Sequence, residues 1–319
     1  MARLLVTSPS LKVAVTGATG NAGVRVVEAL LAAGANVVAL GGSLPKNTAA
    51  LPASVEPRLF NFRQPATWAG AVAGCQSVFL LRPPAIGDVE ATLIPFAQKA
   101  LQEGATHIVF LSVAGAETNR LLPHHKVEVF LKTTAGYTIL RPGFFAQNLQ
   151  DAYKRDIVDQ SRIYVPAGRG RVAFVDLYDV AQVAAAALLD PASHLGQGYT
   201  LTGPVAVTFA EVAAELSQHL NRRVTYEAAS IMGYLRHLRR RKLPWMQSMV
   251  QTVLHVGLRF GQAATVDPTL GRLLKRPPRT VSQYIAEHAD IWRWPNAPLR
   301  DEGDRYSCVL RARNNVSET

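Results

Sequence analysis

Residues 13–23 read VAVTGATGNAG, an apolar strand that passes through three glycines into the start of a helix. In the G-x-x-G-x-x-G spacing, Gly17 makes the tight turn, Gly20 admits a pyrophosphate close to the backbone, and Gly23 lets the helix pack against the strand. The helix N-terminus adds unpaired N–H groups and a positive dipole end. The stretch predicts a dinucleotide-binding loop, with a plain turn as the alternative, and phosphate contacts from Gly17, Ala18, Thr19, Gly20, Asn21, Ala22 and Gly23.

Outward from this loop, short runs rich in Val, Ile, Leu and Phe alternate with longer helical stretches up to about residue 203. Such alternation is typical of βαβ units that build a parallel sheet. The candidate strands are Lys12–Thr16, Asn36–Leu40, Arg58–Phe62, Ser77–Leu81, His107–Ser112 and Tyr137–Arg141. The candidate helices are Asn21–Ala33, Pro65–Ala73, Asp88–Glu103 and His124–Thr134. The pattern predicts an α/β fold, a Rossmann-like doubly wound parallel sheet, over residues 11–203.

The chain after the sixth strand is less regular. We expect a helix over Phe144–Asp159, a strand over Val172–Val175, a helix over Leu177–Leu189 and a last strand over Gly198–Thr202. Capping boxes at 208–211 and 280–283 predict two further helices, 209–220 and 284–292. Residues 204–294 are therefore predicted to form a smaller, mostly helical C-terminal lobe on the substrate side. Residues 295–319 are polar and aperiodic, which predicts a disordered tail.

The composition is that of a globular protein, because 48% of the 319 residues are hydrophobic and 18% are charged. No apolar run approaches the roughly 18 residues of a membrane span. The apolar stretch near the start is too short for a signal peptide. Two cysteines give no disulfide framework, and no residues have metal-ligand spacing. We expect a cytoplasmic protein with no membrane partner and no metal.

Motifs spread over residues 11–294 point to one family. They are GATGNAG at 17–23, FLLRPP at 79–84, PHHKVE at 123–128, YTILRPGFFAQN at 137–148, FVDLYDVA at 174–181, YTLTGP at 199–204 and PPRT at 277–280. With them the chain resembles the NmrA-like family of atypical short-chain dehydrogenase/reductases, in particular its bacterial branch of quinone and triphenylmethane-dye reductases. The fungal name-giver of that family is a nicotinamide-nucleotide-sensing regulator of transcription, so the resemblance leaves a regulatory function open.

In dinucleotide-binding folds, residues at the end of the second strand contact the adenosine ribose. An acid at that position favours NAD, and a basic residue favours NADP. This chain has Gly-Gly-Ser at 41–43, whereas the family usually places an arginine near Gly42. No acid repels a 2′-phosphate here, and Ser43 and Lys46 are within reach of one, so we expect NADP(H) to be favoured over NAD(H). Lys46 as an ordinary surface lysine is the alternative. We further expect Asn61 at the adenine and Leu81, Arg82 and Pro83 along the middle of the cofactor.

Conventional relatives deliver a proton through a Tyr-x-x-x-Lys pair together with a serine. Counted back from the sixth strand, His124 lies where the lysine would be and Arg120 where the tyrosine would be. The resemblance implies the same replacement throughout the NmrA-like branch. His124 is predicted to hydrogen-bond the nicotinamide ribose or to donate a proton near neutral pH; orienting the loop is the alternative. The predicted catalytic residues are His124, Ser112 and Asn148.

The sixth strand ends beside the expected nicotinamide, where open α/β sheets bind ligands. Pro142 and Phe144 are predicted to contact the cofactor; the predicted walls of a flat substrate site are Phe144, Phe145, Asn148 and Tyr164. The alternative is that one phenylalanine faces the core. The aromatic and methionine set Phe209, Met232, Tyr234, Trp245 and Met249 either covers this pocket or is simple core.

Two functions are consistent with these residues. The first is an NAD(P)H-dependent oxidoreductase that transfers hydride to a small aromatic or conjugated acceptor such as a quinone, a reaction that needs mostly positioning and dry apolar walls. The alternative is a non-catalytic NAD(P)-binding redox sensor of the NmrA type. The missing Tyr-x-x-x-Lys pair and a strongly basic late segment keep the sensor open.

The net charge of +11 comes mostly from one segment, since residues 222–279 contain twelve Lys and Arg against two acids. Its densest part lies at the predicted end of a helix, where the dipole favours cations. A solvated helix end is the default, with an acidic partner, nucleic acid or membrane headgroups as alternatives. No nucleic-acid-binding signature accompanies it. We expect a small-molecule substrate, with an acidic protein partner as the candidate ligand of Arg236, Arg239, Arg240, Arg241 and Lys242.

Overall fold

The computed structural model describes residues 11–42 and 51–293. Its central strands are β1 (Lys12–Thr16), β2 (Asn36–Gly41), β3 (Glu56–Leu59), β4 (Ser77–Leu81), β5 (His107–Leu111), β6 (Tyr137–Pro142) and β9 (Gln197–Leu201). They form one sheet in the order β3-β2-β1-β4-β5-β6-β9, and every neighbouring pair is parallel. The predicted doubly wound α/β fold is confirmed. β3 starts two residues and ends three residues before its predicted bounds. It ends early because Phe60 and Phe62 turn to pack against Phe96.

Helices cover both faces of this sheet. They are α1 (Asn21–Ala32), a 3₁₀ turn at Pro65–Thr67 that leads into α2 (Trp68–Val72), α3 (Leu93–Gln102), α4 (Pro123–Leu131) and α7 (Leu177–Leu189). Because successive strand residues point to opposite faces, Val13 and Val15 pack with α1 and α7, whereas Ala14 packs with α2, α3 and α4. Covering on both faces explains why these strands are continuously apolar.

A second lobe is built around its own apolar cluster. Its strands are β7 (Arg162–Val165), β8 (Arg171–Val172), β10 (Val207–Thr208) and β11 (Thr225–Ala228), and they pair as β7 with β11 and β8 with β10. Its helices are α5 (Asn148–Asp151), α6 (Lys154–Gln160), α9 (Phe209–Leu220), α10 (Ile231–Arg240), α11 (Trp245–Arg259), α13 (Val281–His288) and α14 (Asp290–Arg293). Two further helices, α8 (Pro191–His194) and α12 (Thr269–Leu274), lie against the main sheet and α7. The predicted tail, 295–319, lies outside the described residues.

The single helix predicted over Phe144–Asp159 is wrong. α5 and α6 replace it, because the Tyr153 N–H bonds the Asn148 carbonyl five residues back and widens the backbone there. Tyr153 is thereby buried, with its hydroxyl 2.5 Å from Nε2 of His255. The two predicted capping boxes are present, at Thr208 and at Thr280. In the part of the chain that is described, no helix has the length and apolar character to cross a membrane.

Three buried histidines make the stability of this fold depend on pH. Burial is the main reason that the pKa values of His107, His124 and His255 fall from 6.5 to about 4. The unfolded chain therefore binds more protons than the folded chain between pH 6.5 and 4, and stability is lost as the pH falls through that window. Each histidine contributes up to about 1.4 kcal/mol per pH unit.

We expect the free energy of unfolding to fall by about 4 kcal/mol between pH 7.5 and pH 5.5, as measured by urea denaturation. A His107→Gln variant removes one of the three groups and should show about two thirds of that slope. A pH-independent unfolding free energy over this range would contradict the burial of these histidines as neutral groups.

Candidate functional site

The strand order reverses between β1 and β4, and their carboxyl ends open a crevice of the kind where doubly wound sheets bind ligands. The glycine-rich loop leaves β1 at this point and enters α1. Gly17 has φ +61°, a left-handed conformation that favours glycine. The Gly20 N–H bonds the Gly17 carbonyl at 2.9 Å, which closes the turn.

Of the three loop glycines, Gly23 is the one that the packing requires most. A Cβ at this position would lie 2.0 Å from the Gly17 carbonyl oxygen and 2.6 Å from its carbon. Because Gly23 has no side chain, the first turn of α1 packs directly against the loop. The same approach leaves the N-terminal N–H groups of a twelve-residue helix facing the crevice, an arrangement that fits a pyrophosphate.

Two contacts that sequence reasoning missed fix the walls of this crevice. The Thr16 hydroxyl donates to the Phe79 carbonyl and accepts from the Leu81 N–H, both at 3.0 Å, and so joins the ends of β1 and β4. Asn21 donates to Asp151 at 2.7 Å, which ties the loop to α5. The signal for Thr16 was a hydroxyl residue directly before Gly17. Asp151, 130 residues away, left no local signal.

Arg82 and His124 meet beside the loop. The Arg82 Nη1 donates to the Ile86 carbonyl at 2.6 Å, which folds the segment after β4, and its Nε lies 3.3 Å from Nε2 of His124. His124 is in the first turn of α4 and packs its ring 6.1 Å from the Phe110 ring of β5. The structure therefore brings together two residues that the sequence assigned to different parts of a cofactor.

The chemical state of His124 follows from these contacts. Burial, and after it the Arg82 charge, lower the pKa of His124 to about 4 against the opposing effect of the Glu128 charge, so the imidazole is neutral at pH 7. Arginine only donates, so Nε2 accepts and the proton lies on Nδ1. Within residues 11–42 and 51–293, Nδ1 is buried without a hydrogen-bond partner. A neutral N–H donor fits the predicted hydrogen bond to a nicotinamide ribose better than the proton donor near neutral pH, and both roles stay predictions.

Ser112 follows β5 and takes part in a buried ionic network. Its hydroxyl donates to Glu128 Oε1 at 2.6 Å, and Glu128 also accepts from Arg141 Nη2 at 2.6 Å. Glu128 is fully buried and Ser112 nearly so. The hydroxyl proton of Ser112 is thus engaged in a hydrogen bond within the protein. The catalytic role of Ser112 stays a prediction. Glu128 was missed as an anchor, although it ends the PHHKVE motif at 123–128.

The two phenylalanines after β6 point to different clusters. Phe145 packs against the cluster of the main sheet, whereas Phe144 packs against that of the second lobe, 5.6 Å from the Phe174 ring. Both are half-buried, as is Asn148 at the start of α5. Pro142 ends β6, and Gly143 then bonds the Leu201 carbonyl. The junction between the two lobes therefore lies next to the end of β6.

Three other predicted residues, Tyr164, Asn61 and Arg120, belong to parts of the chain other than the segment after β6. Tyr164 of β7 packs 5.2 Å from the His237 ring and beneath Arg162, so its contacts are with α10 and its own strand. The Asn61 side chain accepts from the Arg63 N–H at 2.9 Å, just after β3. Arg120 is exposed. Ser43 and Lys46, the predicted 2′-phosphate contacts, lie outside the described residues.

The basic run at the end of α10 is not uniform. Arg241 pairs with the buried Asp156 at 2.8 Å, and Arg239 donates to the Leu243 carbonyl at 2.6 Å. Arg236, Arg240 and Lys242 are exposed. Arg241 is therefore an internal anchor and is removed from the predicted partner surface. Across the described ranges, no group of three or more His, Cys, Asp or Glu residues could hold a metal ion.

The doubly wound sheet and the glycine-rich loop on its first turn are the features of a dinucleotide-binding α/β protein. The NmrA-like family model matches residues 9–285, and the chain belongs to the NmrA-like family. An NAD(P)H azoreductase of Xenophilus azovorans is 31% identical over 283 residues, which are 86% of this chain and 97% of the relative.

Solved structures extend the comparison. A quinone oxidoreductase of Escherichia coli, crystallised with NADPH, superimposes with a TM-score of 0.77 at 26% identity and covers 86% of this chain and 99% of its own. A negative transcriptional regulator, NmrA in complex with NAD, gives a TM-score of 0.69 at 17% identity and covers 89% of this chain and 97% of its own. At that identity the second likeness shows the fold alone.

Proposed function

We propose that the protein is an NAD(P)H-dependent oxidoreductase that transfers hydride to a flat conjugated acceptor such as a quinone, with NADPH preferred. The observation that carries this proposal is the neutral His124 donor, buried beside the crevice with Nδ1 unpaired among the described residues. A buried donor costs free energy unless a partner completes it. An oxygen of a cofactor ribose or of an acceptor is such a partner. Relatives named as azoreductase and quinone oxidoreductase support this class of reaction.

The proposed cofactor lies across the carboxyl edge of the sheet. The loop at 17–23 and the α1 N-terminus hold the pyrophosphate, while Leu81, Arg82 and Pro83 line the middle. Asn61 takes the adenine side, and Ser43 and Lys46 take the 2′-phosphate. The preference for NADPH rests on the absence of an acid at residues 41–43.

A bound nicotinamide supplies the hydride, and a quinone takes up that hydride and one solvent proton to become a hydroquinone. The protein orients the two reactants and excludes water from between them. Phe144 and Phe145 wall the junction between the lobes, and Asn148 begins α5 beside them. His124 donates one neutral hydrogen bond without giving up its proton, which suits an acceptor that needs no strong acid.

Variants of His124 test this role. His124→Ala removes the donor and should lower kcat/KM by about ten- to a hundredfold with NADPH and a water-soluble quinone, the size expected for one buried donor. His124→Asn places an amide N–H near the former Nδ1 and should recover most of the activity. His125→Gln is the matched control, because His125 Nδ1 bonds the Ala116 carbonyl at 2.7 Å and should matter little to turnover. Equal activity of His124→Ala and the wild type would remove His124 from the site.

A redox sensor is the second candidate, and the basic α10 segment is the feature that favours it. Calorimetric titrations with NADPH, NADP, NADH and NAD at one salt concentration separate the two. An enzyme that waits for an acceptor should bind NADPH in the micromolar range and more tightly than NADP. A sensor should bind the oxidised forms at least as tightly, and binding of none of the four would overturn both.

A further inference from the structure

Helix α11 turns its apolar side outward. The side that faces the protein carries Ser248, Thr252 and His255, all buried. The outer side carries the exposed residues Trp245, Met246, Met249, Val250, Val253 and Leu254. At 3.6 residues per turn, these six span about half of the helix circumference. A surface helix ordinarily shows the reverse arrangement, so this face is built to be covered.

The orientation of α11 is fixed by a polar contact on its inner side. The hydroxyl of Tyr153, the residue before α6, is 2.5 Å from Nε2 of His255. Because Tyr153 and His255 are both buried, turning the helix would leave these polar groups without partners. The outward apolar face is therefore part of the native packing.

Helix α10 places positive charge beside this apolar face. A groove of about 480 Å³ is lined by Met232, Leu235, Arg236, Arg239, Arg240 and Trp245. Asp156 holds α10 in place through Arg241 at 2.8 Å and through His237 at 3.0 Å. Residues 228–266 contain six Lys and Arg and no Asp or Glu, so no acid within the segment neutralises these arginines.

We propose that the α10–α11 face, formed by the groove residues and the outer side of α11, docks on an anionic lipid surface. Tryptophan, methionine and valine on one side with arginines at the edge are the pattern of a helix that lies in a membrane interface. A second copy on the same face brings like charges together, whereas anionic headgroups neutralise them. This lipid surface is proposed in place of the acidic protein partner that the sequence suggested. The proposal also departs from the expectation of no membrane partner. Surface docking needs no spanning helix.

Vesicle flotation of the full chain tests the proposal without any cofactor. We expect binding to vesicles of phosphatidylcholine with one quarter phosphatidylglycerol, little binding to phosphatidylcholine alone, and release as NaCl rises from about 0.1 to about 0.5 M, because the attraction is screened. Equal binding to both vesicles, or binding to neither, would overturn the proposal. NADPH oxidation with a water-soluble quinone is measured separately, so loss of one result does not decide the other.

Paired variants assign the binding to this face. Met246→Ser with Val253→Ser removes two side chains that are 71% and 64% exposed, and should weaken vesicle binding at least tenfold without unfolding the protein. Leu121→Ser, at a residue 93% exposed on another part of the surface, should leave binding unchanged. Arg236→Gln with Arg240→Gln should weaken binding about thirtyfold, against no change for Lys99→Gln with Lys132→Gln.

Fluorescence of Trp245, which is 56% exposed, reports whether the α10–α11 face contacts the vesicle surface. Anionic vesicles should shift the emission to shorter wavelength, and the shift should disappear in Trp245→Phe. If the wild type instead forms dimers that Met246→Ser with Val253→Ser dissociates, while vesicles cause no shift, the face is an interface between copies and the lipid proposal is wrong.

Discussion

Replacement of Gly23 by alanine is expected to weaken dinucleotide binding by about ten- to a hundredfold. The added Cβ would lie 2.0 Å from the Gly17 oxygen and 2.9 Å from Ala18 Cα, and both of these atoms belong to backbone that cannot rotate aside. The first turn of α1 must therefore move away from the loop, at a cost of about 1–3 kcal/mol, which is that range of affinity if the bound state requires the close approach. Isothermal titration with NADPH measures the loss.

Gly70→Ala is the matched control for this change. Gly70 lies in α2, and no atom comes within 4 Å of a Cβ built there. Alanine inside a helix is tolerated or slightly stabilising, so NADPH affinity should stay within about twofold of the wild type. If Gly23→Ala bound NADPH as well as Gly70→Ala did, the loop at 17–23 would not be the phosphate site.

Removal of the Glu128 carboxylate is expected to destabilise the fold by about 3–5 kcal/mol, the cost of leaving a buried charge without its partner. Arg141 is held by Glu128 through Nη2 at 2.6 Å and through Nε at 3.0 and 3.1 Å. In Glu128→Ala, the acid left beside Arg141 among the described residues is Glu117, 3.4 Å from the Arg141 Nε. The loss also frees the Ser112 hydroxyl between β5 and α4. Urea denaturation at pH 7.5 measures the change.

An exposed ion pair of similar length provides the comparison. Glu90 lies 2.5 Å from Lys126, and their side chains are 65% and 50% exposed. Such pairs contribute at most about 1 kcal/mol, so Glu90→Ala should hardly move the unfolding midpoint. Similar losses in the two variants would mean that the Glu128–Arg141 pair contributes no more than a surface contact and does not tie α4 to β6.

Much of the sheet could be predicted because its information is local. Strands that are buried on both faces are continuously apolar, and a loop with three spaced glycines marks the first turn without any partner from elsewhere. The strand β4 and the capping box at Thr280 were predicted at their observed positions for the same reason. The loop residues 17–23, Arg82 and His124 were likewise named from the sequence, and they lie along one sheet edge, while their binding roles stay predictions.

What could not be predicted depends on distant partners. The pKa of His124 is set by burial and by Arg82, 42 residues away, so the sequence left open a proton donor and a hydrogen bond to the nicotinamide ribose, whereas the fold makes the imidazole neutral. No signal in the sequence indicated which side of α11 the rest of the fold would cover. Trp245 and Met249 were therefore assigned to a pocket cover or a core, whereas both are exposed. Phe209 and Tyr234 of the same set are buried.

Single-turnover hydride transfer tests the central claim most directly. Protein saturated with NADPH is mixed without oxygen with excess water-soluble quinone, and absorbance at the reduced-nicotinamide band is followed in a stopped-flow instrument. The account predicts loss of that absorbance with one hydroquinone formed per NADPH, much faster than without protein and slower in His124→Ala. Tight NADPH binding with absorbance that decays no faster than in buffer, across quinones of different size, would contradict an oxidoreductase and leave the protein a dinucleotide sensor.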